Sequence, residues 1–257
     1  MKATLTVLGS GTSVGVPTIG CDCAVCNSTD PKDRRTRPSV LIEYGGKVVV
    51  IDTTPDFREQ AIRESIRRLD AVLYTHPHAD HLLGIDDLRP LSYQHKPGKL
   101  PLYARPEAIE FIRNMFGYIF TPKYKFGGLP QLELMEITGR VELFGAKFEP
   151  VTLIHGEAEI LGFRFGSAAY LTDHSEIPES SMERLRNLDI LFLDALRHQP
   201  HPTHSTVENS LRIVEKLRPR RAFFTHICHD LPHKETNDSL PDNVRLSYDG
   251  MKLDFEI

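Results

Sequence analysis

The chain has 257 residues, with 31 Lys and Arg against 35 Asp and Glu, a net charge of −4 and 40% apolar residues. These proportions argue against a disordered chain and allow one sizeable hydrophobic core. They also argue against a dedicated nucleic-acid binder, which needs a basic field to neutralise phosphates. No apolar run approaches a membrane span. The start, Met1-Lys2-Ala3-Thr4-Leu5-Thr6-Val7-Leu8-Gly9, has no signal-peptide pattern, so a cytoplasmic location is expected.

In chain order, residues 5–8 read as a strand entering a Gly-rich turn. Residues 39–44 and 47–52 read as two strands joined at Gly45-Gly46 as a hairpin. Residues 55–69 look helical, and 71–75 form a short apolar strand. Further strands are expected at 101–104, 132–136, 146–155, 161–173, 190–194 and 221–226. Helices are expected at 106–116, 178–185 and 206–217. The last carries Ser205 as N-cap with Glu208 three residues on, a capping-box pattern. Its Val207, Leu211, Val214 and Leu217 share one face. Neither a repeat nor a linker divides the chain, so residues 1–257 are read as one layered α/β domain. His76, His155, Asp173 and His226 each follow an apolar run. Open sheets collect their chemistry at such strand ends, which predicts one shared site.

Two clusters carry the chemistry. The chain has 12 His, and three of them fall in Thr75-His76-Pro77-His78-Ala79-Asp80-His81. Imidazole nitrogen and carboxylate oxygen suit divalent metals such as zinc, manganese or iron. Four donors this close at a strand-to-helix junction can face two neighbouring ions, whereas a lone His is usually a hydrogen-bonded core residue. The second cluster is Cys21-Asp22-Cys23-Ala24-Val25-Cys26. Reduced thiols bunched in this way suggest a metal rather than a disulfide. Three thiolates plus one imidazole, His229, would make a closed tetrahedral zinc site, with Cys228 as the rival fourth ligand.

On these residues the sequence resembles the metallo-β-lactamase superfamily, whose His-x-His-x-Asp-His is followed by a His, an Asp and a His at later strand ends. The resemblance implies an αββα sandwich with a dinuclear metal site at one edge. His76, His78 and His155 would hold one metal, and Asp80, His81 and His226 the other, with Asp173 bridging. Asp52 takes the place of an early Asp that supports the ligands from behind. The usual Asp-x-Gly becomes Asp52-Thr53-Thr54 here. The pairing of Cys-x-Cys-x-x-Cys with His226 and His229 is similar to the PhnP-type phosphodiesterases. That likeness implies a structural zinc on Cys21, Cys23, Cys26 and His229, in a loop at about 20–27. It also implies two active-site metals (zinc or manganese), a small and possibly cyclic ribose phosphodiester as substrate, and a homodimer. It marks His204, in Pro202-Thr203-His204-Ser205, as the residue that binds a phosphate oxygen or protonates the leaving alkoxide. Asp80 and His204 are thus the catalytic candidates, with a metal-bridging hydroxide as nucleophile.

The rivals are another hydrolase of this superfamily, such as a tRNA-processing nuclease, a thioesterase or a glyoxalase, and a non-catalytic binding protein akin to the PQQ-biosynthesis relatives. All seven ligand positions are present, which favours an enzyme. His95, His174, His198, His201 and His233 read as exposed loop residues. The basic run Lys32-Asp33-Arg34-Arg35-Thr36-Arg37 reads as a solvated loop. The aromatic stretch Phe116-Gly117-Tyr118-Ile119-Phe120 reads as packing rather than a lid.

Overall fold

The computed structural model describes residues 1–121 and 128–257. Fourteen strands are formed among them. The first seven are β1 (Lys2–Gly9), β2 (Ser39–Tyr44), β3 (Lys47–Ile51), β4 (Ala71–Leu73), β5 (Leu100–Ala104), β6 (Leu132–Glu136) and β7 (Val141–Leu143). Then come β8 (Ala146–His155), β9 (Ala158–Phe165), β10 (Ala168–Leu171), β11 (Ile190–Asp194), β12 (Arg221–Thr225), β13 (Val244–Leu246) and β14 (Lys252–Glu256). They make two seven-stranded sheets, ordered β14-β1-β2-β3-β4-β5-β6 and β13-β12-β11-β10-β9-β8-β7.

Side-chain alternation decides what each face meets. Leu5, Val40, Ile42, Ile51 and Leu73 of the first sheet pack against Phe148, Phe163, Phe165, Phe192 and Phe223 of the second. The opposite positions Leu41, Val50, Val72 and Leu102 meet Phe57, Leu82, Ile85 and Ile112 on the outer helices. On the far side, Leu191, Leu193 and Phe224 meet Val207 and Val214 of the helix Val207–Leu217. The result is the expected αββα sandwich. Pairing is parallel from β3 through β6 and from β10 through β13, which aligns the ends of those strands along one edge. Asp52, Asp173 and His226, just past β3, β10 and β12, all have positive φ of 58–65°. Such backbone is uncommon for non-glycine residues and turns their side chains where a regular strand would not.

Several expectations are corrected. The helix placed at 55–69 spans only Phe57–Arg63, because Ser65 turns left-handed at φ 55° and returns Ile66 and Leu69 to the sheet. The single strand at 161–173 is two antiparallel strands, β9 and β10, reversed at Gly166 with φ 56°. The N-cap of the helix Val207–Leu217 is Thr206, whose hydroxyl accepts from Asn209 N at 3.1 Å. Ser205 is buried beside Ser210 instead, and Glu208 turns away to pair with His198. The short strands β7, β13 and β14 carry few apolar residues and escaped the pattern. The basic run is solvated only in part: Lys32 and Arg34 are exposed, as expected, but Asp33 and Arg35 are not. Arg35 is buried and pairs with Asp33 at 2.9 Å, while its guanidinium also donates to the carbonyls of Cys228 and Leu231. Of the aromatic stretch, Phe116, Ile119 and Phe120 join the outer core, as expected, while exposed Tyr118 reaches Asp86.

Candidate metal centre

Residues from both sheets converge at the shared edge. His76, His78 and His155 bring one donor atom each within 4.8 Å of one another, and so do Asp80, His81, Asp173 and His226. Asp173 spans the two groups: its carboxylate lies 3.8 Å from His76 Nε2 and 3.2 Å from both His81 Nε2 and His226 Nε2. All seven expected residues are therefore brought together.

The imidazoles are anchored from behind, which fixes the nitrogen they present. His81 Nδ1 lies 2.7 Å from Asp52, which is fully buried and also accepts from the Thr75 amide and hydroxyl. His155 Nδ1 donates to the Thr203 carbonyl at 2.8 Å, and His76 Nδ1 meets the Thr75 hydroxyl at 3.0 Å. Each leaves Nε2 for the centre. The Asp52-Thr53-Thr54 departure leaves this support intact. Thr53 hydrogen-bonds Tyr74 at 2.7 Å, and Gly84 approaches the Thr54 carbonyl so closely that a Cβ there would clash.

The donor set fits divalent cations. Buried Asp80 Oδ2, His81 Nε2 and His226 Nε2 have no hydrogen-bond partner among the described residues. His76 Nε2 and His78 Nδ1 stand 3.0 Å apart, so two lone pairs meet unless a proton or cation lies between them. Electrostatics agree. Burial disfavours charge on His81 and His226, yet the carboxylates of Asp173 and Asp80 outweigh it and raise His226 to about 10. The same pairings overcome burial and hold Asp80 and Asp173 well below the usual carboxylate range. Burial lowers His76 and His155, which favours the neutral imidazole that a metal needs.

His204 stands at the rim of this centre, its side chain 11% exposed. Its ring stacks on His226 at 4.5 Å and meets His155 edge-on at 4.9 Å. Behind it, His204 Nδ1 lies 2.7 Å from the carboxylate of Asp194, which is fully buried. Asp194 escaped the sequence reading, although it ends the apolar run of β11 just as Asp173 follows that of β10. The other histidines divide. His198 is exposed, as expected. His174 and His233 are buried, contrary to expectation, and burial depresses both to about 4. His201 is half-buried, 5.0 Å from the His204 ring, and His95 is tied to the Leu69 carbonyl. His233 opens the helix His233–Ser239 and meets the Tyr248 ring edge-on at 5.8 Å, a contact between distant segments that spacing alone does not reveal.

The thiol cluster closes on His229 rather than Cys228. His229 Nδ1 lies 3.2, 3.4 and 3.5 Å from the sulfurs of Cys21, Cys23 and Cys26. A tetrahedron with Zn–S of about 2.3 Å and Zn–N of about 2.0 Å has N–S edges of about 3.5 Å, so the set fits zinc. The Cys26 amide donates to Cys23 and draws its thiol down to about 6, whereas burial pushes Cys26 up to about 11. Cys228 points elsewhere, taking the Asp230 amide on its sulfur.

Comparison with known proteins agrees with this geometry. A model of the beta-lactamase superfamily domain matches residues 47–227. The chain belongs to the beta-lactamase superfamily. A crystal structure of a diphosphatase from the PhnP family superposes with a TM-score of 0.94 at 61% identity, covering 99% of this chain and 98% of that one. This places the chain in the PhnP family of that superfamily. An octanoyltransferase of Porphyromonas gingivalis is 38% identical over 96% of this chain, and a ribonuclease Z of Bradyrhizobium diazoefficiens is 27% identical over 54% of it. The matches take in 50% and 47% of those proteins, so the chain spans about half the length of the curated relatives it matches. No described helix is long and apolar enough to cross a membrane.

Proposed function

We propose that the protein is a metal-dependent phosphoesterase that hydrolyses a small phosphodiester or an internal phosphoanhydride. His76, His78 and His155 would hold one cation and Asp80, His81 and His226 the other, with Asp173 between them. Zinc or manganese in this nest would supply Lewis acidity, activating water and neutralising charge on the phosphoryl oxygens. A structural zinc is assigned to Cys21, Cys23, Cys26 and His229. The reaction is proposed for a small substrate, cyclic ribose phosphates included, and for a dimeric cytoplasmic protein.

The observation that carries the reading is the Asp194–His204 pair. A nest of His and Asp serves thioesters and lactams equally well. A histidine oriented through Nδ1 by a buried carboxylate, with its ring stacked on His226 at the edge of the proposed metal nest, suits protonation of an alkoxide that leaves phosphorus. The PhnP-family diphosphatase, at 61% identity, supports phosphorus as the electrophile.

The test is a panel of phosphodiesters, diphosphates, phosphomonoesters, thioesters, β-lactams and precursor tRNA, run with zinc and with manganese. Preference for thioesters or lactams overturns the reading, and preference for precursor tRNA moves it to the ribonuclease Z reaction. Within the panel, His204→Ala should keep its metal content and lose roughly 10²–10⁴-fold on an alkyl diester, the range for a positioned acid. On a p-nitrophenyl diester, whose leaving group needs no proton, the loss should be far smaller. Asp194→Asn should show the same bias. Equal losses on both substrates would make His204 a phosphate-binding group instead.

A further inference from the structure

A cavity of about 460 Å³ shares no lining residue with the metal nest. One wall is the segment that leaves the thiol loop, and the other is the helix His233–Ser239 with β13 and the turn after it. The size is within the range of roughly 300–1,000 Å³ typical of ligand pockets. Leu246, Met251 and the ring of Tyr248 supply apolar surface, and the Lys32 ammonium stands 4.6 Å from the centre of that ring.

The polar groups favour an anion. Lys32, Lys234 and Arg245 against Asp30 and Asp238 leave the cavity at +1, on a chain whose net charge is −4. Both carboxylates are engaged: Asp30 accepts from the Lys32 amide at 2.9 Å, and Asp238 pairs with Lys234 at 2.7 Å. Lys32 and Arg245 have no carboxylate partner among the described residues, and Arg245 Nη1 donates to the carbonyls of Pro241 and Val244. A separate observation points the same way. His233 lines the cavity at only 6% exposure, yet its buried Nδ1 has no hydrogen-bond partner among the described residues. Native proteins rarely leave a buried polar atom in that state. Burial and the nearby Arg35 and Lys32 cations keep the ring neutral, so it carries one N–H donor.

We propose that this cavity is a second, non-catalytic site, and that it binds a small organic phosphate. Lys32, Arg245 and His233 come from three segments and can each donate to a different oxygen. A phosphate head has three such oxygens, whereas a carboxylate has two. The organic part lies on Tyr248, Leu246 and Met251. Occupancy has a structural consequence as well. Asp33 takes the His233 amide at 2.8 Å, and Arg35 takes the Cys228 carbonyl at 2.8 Å, so the two walls continue into the thiol loop and the strap that carries His229. A ligand that touches both walls holds them together, and by linkage it raises the hold of the thiol loop on zinc. The site is independent of the chemistry at the nest.

The experiment uses the full chain carrying both His76→Ala and Asp80→Ala, which removes a donor from each half of the nest and spares the thiol loop. Phenylphosphonate, whose C–P bond keeps it from ester hydrolysis, is titrated into this protein by calorimetry. It should bind at a single site. Adding Lys32→Glu should weaken it at least about tenfold, whereas Lys32→Arg should keep it. Lys32 is exposed, so the melting temperature of Lys32→Glu without ligand should match that of its parent. Methylphosphonate, which lacks the ring, and phthalate, which lacks the tetrahedral head, should both bind more weakly. Phenylphosphonate should also slow zinc release to a chromophoric chelator, and should not do so in Lys32→Glu. The proposal is overturned if the parent binds no phenylphosphonate, or if Lys32→Glu binds it as tightly as the parent does. Phthalate binding as tightly as phenylphosphonate would overturn the phosphate class, and methylphosphonate doing so would overturn the apolar wall. Unchanged zinc release with binding intact would overturn the link to the thiol loop.

Discussion

The His/Asp nest and the thiol loop both gather metal-ligand side chains, yet they are built on opposite principles. The nest draws its residues from the ends of β3, β4, β8, β10 and β12, and strand pairing within the two sheets sets where those ends lie. Its imidazoles already have partners, such as Asp52 behind His81 and the Thr203 carbonyl behind His155. The thiol loop has no such frame. Only Val16, Val25 and Cys26 form a small apolar cluster there, and Ile19 at its tip is 99% exposed. What holds the loop from the protein side is the strap after β12, where Arg35 binds the Cys228 and Leu231 carbonyls and the Ile227 amide donates to Ser10. The difference teaches that, on the proposed reading, a cation in the nest would have a function to supply, whereas one in the thiol loop would have a fold to supply.

The comparison breaks most visibly at Asp80. Asp80→Ala should cost turnover about 10⁴-fold or more, about 5.5 kcal/mol in barrier, while thermal unfolding changes less than in a thiol variant because Asp80 borders only the edge cluster of His81 and His226 and not the apolar core between the sheets. A large fall in melting temperature with activity retained would reverse the roles of the two regions. Cys23→Ser should do the opposite. Stability should drop by about 4 kcal/mol, the scale of a lost metal site, and elemental analysis should fall from about three metals per chain to about two. Unchanged melting with activity abolished would assign the thiols to the chemistry.

A smaller effect separates the nest from the buried groups behind it. Burial depresses His174 to about 4, below the ordinary imidazole value of 6.5. The unfolded chain therefore binds a proton that the folded chain refuses, and stability is lost as pH falls from about 6.5 through about 4. The ceiling is about 3 kcal/mol, from 1.36 kcal/mol per pKa unit. His174→Asn should flatten the acid limb of a stability–pH curve measured by denaturant unfolding. An acid limb unchanged by the substitution would mean that other groups govern it.

Much of the centre was legible because its chemistry is local in sequence. The run from His76 to His81 places four donors on one junction, and the apolar strands leading to His155, Asp173 and His226 say that these residues sit at strand ends. The same reasoning yields the layered α/β class, since strands of about five residues alternate with amphipathic helices. Asp194 was legible by this rule and was passed over, because a single carboxylate after a strand looks like any other.

The rest depended on contacts between segments far apart in the chain. No spacing tells that Arg35 is buried against the strap 193 positions later, or that His174 is sealed while His198 is open, since burial is set by which layers close over a loop. The choice of His229 over Cys228 needed the direction of the strap, because adjacent residues point to opposite sides. The sequence by itself determined the donor types and the strand ends that carry them, through short-range spacing and alternation. Only the tertiary structure decided which donors meet, which are anchored and which are buried, because those follow from two sheets packing face to face.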